Sequence, residues 1–174
     1  MNTIARLMPC VLATGMMACA STTAPTIPTL LDPGTATKLV MVVAAKGVQI
    51  YECRAKKDAT GFEWAFVAPD ADLFDARGQI IGRHGAGPFW QANDGSRVVG
   101  TVRERADAPV PNAIPWLLLA TRSTGDAGAF SSVTSIQRVN TAGGLAPSFG
   151  CPAEAAGRTA RIDYTADYRL FTAK

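Results

Sequence analysis

Lys38-Leu-Val-Met-Val-Val-Ala-Ala45, a break at Gly47, and then Val48-Gln-Ile-Tyr-Glu-Cys-Arg54 is the stretch that decides the fold. Its first half is almost continuously apolar and rich in β-branched residues, which predicts a strand buried on both faces. Its second half alternates. Val48, Ile50 and Glu52 share one face, and Gln49, Tyr51 and Cys53 share the other.

The same signature recurs on the C-terminal side. Phe62 to Val67 is a strand pattern with Phe62, Trp64 and Phe66 on one side. Asp75-Ala-Arg-Gly78 is a turn between Leu73-Phe74 and Gln79-Ile-Ile81. Pro88 to Gln91 is a short strand, followed by a turn at Asn93-Asp-Gly95. Arg97 to Arg105 alternates, Pro109 and Pro111 mark a loop, and Trp116 to Thr121 is an apolar strand. In Phe130 to Asn140 the residues Phe130, Val133, Ile136 and Val139 recur every three positions. The density of Ser, Thr and Val there nonetheless predicts a strand. Arg161 to Thr172 closes the series with Ile162, Tyr164, Ala166, Tyr168 and Leu170 on one face. Short strands broken by Gly, Pro and Asp, without a long helical period, predict an all-β fold. The expected architecture is a single antiparallel β-sandwich or barrel-like domain of about eight or nine strands.

The N-terminus carries a different pattern. Arg6 precedes an apolar run, Leu7 to Ala18, which ends in Met16-Met-Ala-Cys19. The run is too short to span a bilayer but suits the apolar region of an export signal. It resembles a bacterial lipoprotein signal of residues 1–18, with Cys19 as the acylated residue. A second cleavage reading, after Ala18-Cys-Ala20, gives a soluble periplasmic product. Ala20 after the cysteine, by resemblance to Gram-negative lipoproteins, implies sorting to the outer membrane. The expected organisation is a signal over 1–18, a Thr/Pro/Ala-rich tether over 19–34, and an all-β domain over 35–174. The expected locations are therefore outer membrane, by the lipid anchor, or periplasm.

The chain has 174 residues and a net charge of +3, with scattered basic residues, which argues against a nucleic-acid partner. Of the four cysteines, Cys10 leaves with the signal and Cys19 takes the lipid. Cys53 and Cys151 remain as one pair in an oxidising compartment, and a disulfide is expected. No CxxC spacing supports a redox or metal site.

Several segments together carry a resemblance. They are Gly47-Val-Gln-Ile-Tyr-Glu-Cys53, the Trp64…Pro69…Leu73…Gly78 run, Ile81-Gly-Arg-His84 and Gly87-Pro-Phe-Trp90 with Asp94-Gly-Ser96. Ile114-Pro-Trp-Leu-Leu-Leu119, Ile136-Gln-Arg-Val-Asn-Thr141 with Gly143-Gly144, Cys151 and Tyr164-Thr-Ala-Asp-Tyr168 complete the set. From about Lys38 to Phe171 the chain resembles the secreted bacterial and fungal proteins of the domain-of-unknown-function family 3455. It departs from that pattern at Gly85, where an aromatic is more usual, and at Phe89, where a small polar residue is more usual. The resemblance implies a domain without implying an activity.

The candidate site centres on His84, the single histidine. Trp90 offers a stacking face beside it, and Asp94 could orient its imidazole. Trp116 lies in an apolar strand that is either core or the wall of a pocket. Gln137, Arg138 and Asn140 form a polar set that is either a structural network or ligand-facing. Metal ligation lacks ligands, and no cofactor is implied. The functional expectation is a non-catalytic module holding a small molecule or glycan near His84–Trp90 and the Trp116 strand. A hydrolase using His84 with Asp94 or a glutamate is the alternative. A ligand-free scaffold that binds an envelope protein through a sheet edge is the third reading.

Overall fold

The computed structural model describes residues 26–174. The expected export signal with Cys10, and the expected lipid site Cys19, lie outside these residues.

Eight antiparallel strands form one closed barrel in chain order: β1 (Thr37–Ala55), β2 (Phe62–Phe74), β3 (Ile80–Gly85), β4 (Phe89–Ala92), β5 (Arg97–Ala106), β6 (Trp116–Ser123), β7 (Val133–Gly143) and β8 (Thr159–Ala173). The only helical pieces among the described residues are two short 3-10 turns, Thr29–Leu31 and Ala153–Ala155. The fold is all-β, and of the two expected architectures it is the barrel. Each strand neighbours the next in sequence, and β1 closes the ring by pairing with β8 from Thr37↔Ala173 to Glu52↔Thr159.

Two sequence expectations are corrected by the register. Gly47 does not break a strand. β1 runs through it, and Gly47 lies opposite Ala71 of β2. A Cβ at 47 would fall 2.5 Å from the Ala71 Cα, so the glycine permits a close approach of two backbones. The strand expected from Phe130 starts at Val133 instead, and the spacing of three has its own cause. The β7–β8 register shifts between Val133 and Ser135, a bulge that turns both Val133 and Ile136 into the core.

Part of the segment read as a tether is docked. Leu31 is fully buried and packs with Trp116 and Val139 on the outside of the barrel. Gln137 Nε2 donates to the Leu31 carbonyl at 2.6 Å. An apolar side chain beside two exposed-face apolar residues is removed from water by docking, and this draws the described part of the segment onto β6 and β7.

Cys53 near the end of β1 and Cys151 in the loop before β8 are joined by a disulfide; they are 98 positions apart in sequence and their Cα atoms 5.4 Å apart. On the chain-entropy account, closing a loop near that length contributes at most about 4–5 kcal/mol.

The barrel wall is uneven. β3 and β4 form a short hairpin. β2 pairs with β3 only over Ala71–Phe74, and β4 pairs with β5 only over Phe89–Gln91. The first part of β2 and the last part of β5 therefore have no strand between them, and an opening leads into the barrel. Pro69, which lacks a backbone donor, stands in β2 just before the β3 pairing begins.

Candidate functional site

Behind this opening lies a cavity of about 460 Å³. Tyr51, Gln49 and Phe66 bring it a wall from β1 and β2, and His84 and Trp90 a wall from β3 and β4. Leu117, Leu119 and Arg138 add the side of β6 and β7, and Tyr168 that of β8. Period-two alternation explains the set, since each strand sends alternate side chains inward. Phe66, Val102 and Leu145 stand at the cavity with about half of their surface exposed, giving it an apolar rim.

His84 pairs with Trp90 across β3 and β4, and the two rings stack with centroids 4.3 Å apart. Tyr168 meets both rings edge-on, at 5.0 Å and 5.2 Å. These three residues form a rigid aromatic group. His84 Nδ1 lies 2.7 Å from the Phe89 carbonyl. A carbonyl only accepts, so Nδ1 carries the proton and Nε2 the lone pair. Burial pushes the His84 pKa down to about 3. The Phe89 bond opposes this, and the charge of Arg138 adds to it. The imidazole is therefore neutral at neutral pH.

The other polar groups are equally constrained. Tyr51 donates to the Gly144 carbonyl at 2.5 Å. The Tyr164 and Tyr168 hydroxyls lie 3.4 Å apart, and burial raises the pKa of both. Arg138 donates through Nε and Nη2 to the Pro115 carbonyl at 3.1 Å and 2.8 Å. Gln49 Nε2 and Trp90 Nε1 are buried without an acceptor.

Of the seven side chains expected at a site, three meet here: His84, Trp90 and Arg138. The other four lie elsewhere. Trp116 faces outward beneath Leu31, and Gln137 holds the Leu31 carbonyl on the same outer surface. Asn140 is exposed, has a positive φ of 50°, and donates to Asp167 Oδ2 at 2.8 Å. Asp94 does not orient His84. Its Oδ1 accepts from the Ser96 backbone and hydroxyl, and its Oδ2 accepts from the Ala129 N–H at 2.8 Å. The Ser96 hydroxyl in turn accepts from Phe130 N, and this clamp seats the fully buried Phe130 in the core. The His84–Asp94 pairing that a hydrolase would use is absent, because each partner is committed to backbone groups.

Gln49, Tyr51 and Tyr168 belong to the site but were not expected there, and the Trp116 strand expected as a wall lines it through Leu117 and Leu119 instead of Trp116. Their signal was in the sequence: Gln49 and Tyr51 share a strand face with Cys53, and Tyr168 shares one with Tyr164. No alternation says which face encloses a cavity.

No curated protein and no solved structure matches the chain. A family model does, over residues 33–172, from the turn before β1 to the next-to-last residue of β8. It therefore covers every residue of the cavity, and the chain belongs to the family described as protein of unknown function (DUF3455).

Proposed function

We propose that this domain is a non-catalytic binding module of the cell envelope, which takes one small, largely apolar molecule into the barrel through the opening between β2 and β5. One observation carries the reading: the barrel interior keeps a cavity of about 460 Å³ instead of filling it with side chains. That volume falls in the range of small-molecule sites, roughly 300–1,000 Å³. Its aromatic and aliphatic walls suit an apolar body better than a glycan, which would require many more polar partners. The stacked His84–Trp90 pair supplies a flat face, and its hydrogen bond to Phe89 keeps that face fixed.

The N-terminal pattern and the Cys53–Cys151 disulfide support export, with Cys19 as the lipid anchor. Replacing Cys19 by Ser is expected to move the protein from the membrane fraction to the soluble one, and retention in the membrane overturns the anchor.

Native mass spectrometry of the protein purified without denaturation tests the binding reading. A retained extra mass that disappears in Leu119→Trp, where the larger ring fills the cavity, is the expected result. A wild-type chain that carries no added mass overturns it.

A further inference from the structure

The charged side chains at the cavity have one sign. Arg138 brings a guanidinium to the wall; its bonds to the Pro115 carbonyl leave from the Nε–Nη2 edge, and the Tyr168 hydroxyl is a further partner. No aspartate or glutamate lines the cavity. Among the described residues the ion pairs join Arg83 and Arg161 to Asp70, and Arg83 to Asp72, and none involves Arg138. Gln49, only 2% exposed, and Trp90, only 1% exposed, each hold a donor without an acceptor. The site thus offers a positive charge and unused N–H groups, while its walls are apolar. A half-buried cation without a counter-charge and buried donors without partners are costly, and a ligand that supplies the missing acceptor and charge relieves both.

We propose that the occupant is an amphipathic monoanion, whose carboxylate pairs with Arg138 and whose apolar body lies along Leu117, Leu119 and the His84–Trp90 stack toward the Phe66 rim. This rests on the binding reading above. One charge matches the one guanidinium within the wall, because Arg105, the other cation at the cavity, is exposed at its rim. A planar guanidinium edge fits a carboxylate in two parallel hydrogen bonds. A dianion would leave a charge unbalanced among apolar side chains.

Calorimetric titration of the full chain with decanoate and with decanol separates charge from apolar bulk. Decanoate is expected to bind about 10- to 100-fold more tightly, the range for a hydrogen bond to a charged group. Arg138→Gln is expected to bring decanoate to the affinity of decanol and to leave decanol unchanged. Arg138→Lys is expected to keep a preference for the anion, and Arg105→Gln to change nothing. Equal binding of the two probes by the wild-type chain overturns the anion assignment and leaves the cavity reading standing. A preference that survives in Arg138→Gln, or vanishes in Arg105→Gln, also overturns the assignment. Binding of neither probe overturns both. The wild-type comparison decides even where Arg138→Gln fails to fold.

Discussion

Gly85 and Phe89 face one another across the β3–β4 hairpin, and the phenyl ring of Phe89 occupies the volume that a side chain at 85 would need. A Cβ at 85 would lie 2.6 Å from Phe89 Cε1, and the Arg97 guanidinium caps the same ring 4.1 Å from its centroid. A side chain at 85 and the ring at 89 therefore contend for one volume.

This predicts a compensating pair. Gly85→Phe alone overpacks the hairpin and is expected to cost about 1–3 kcal/mol. Adding Phe89→Ser vacates the space and is expected to restore most of the loss. Urea unfolding of both variants checks it, and additive effects would show that the two positions do not share one volume.

His84 predicts how stability depends on pH. Its native pKa, about 3, lies below its ordinary value of 6.5. Above pH 6.5 neither state binds the proton. As pH falls below 6.5 only the unfolded chain takes it up, so stability declines, by up to about 1.4 kcal/mol per pH unit, until the native imidazole titrates. Asp70 and Asp94 are held below the usual carboxylate range, so their contributions are lost only in more acid solution. His84 is the single histidine. His84→Gln should therefore flatten the profile between about pH 6 and about pH 5. Urea midpoints across that interval decide it.

The Asp94 clamp predicts a local effect. Hydrogen bonds from the Ser96 hydroxyl, the Ala129 N–H and the Ser96 N–H lower the Asp94 pKa. Asp94→Ala is expected to free the Ala129 amide, loosen the seat of Phe130 and lower Tm. Ligand uptake should persist, because Asp94 stands outside the cavity. Amide hydrogen exchange at Ala129 and Phe130 reads the loosening directly.

Leu31 predicts that the N-terminal segment is part of the folded unit. Leu31→Ala removes a fully buried side chain and is expected to cost about 2–5 kcal/mol, less where the segment can collapse over Trp116. Thermal unfolding followed by tryptophan fluorescence checks it. A change within a few tenths of a kcal/mol would mean that the contact with Trp116 and Val139 contributes nothing.

Most strands were legible because their side chains alternate, and β8 shows why: Tyr164, Ala166, Tyr168 and Leu170 are buried while their neighbours are less so. β6 and β7 were harder. Leu117 and Leu119 face inward, but Trp116 and Val139 are also apolar because Leu31 covers them from outside. Both faces are buried there, and period two disappears. The same loss of contrast put Trp116 among the expected ligand contacts. The site hid for the opposite reason. Gln49 and Arg138 are polar residues on the inner face, where alternation alone leads one to expect core. Asp94, a turn residue close in sequence to His84, was expected beside it, but the strand geometry sends the two to different surroundings.

The pairing of β1 with β8 sets an order of events in time. The longest seam of the barrel joins the first strand to the last, Thr37 to Ala173. Contacts so distant along the chain form slowly, and here they must await the final residues made. Until β8 emerges from the ribosome the ring has no closing partner, and neither the cavity nor the shelter of the β1 backbone exists. Without β8 the ring has no closing strand.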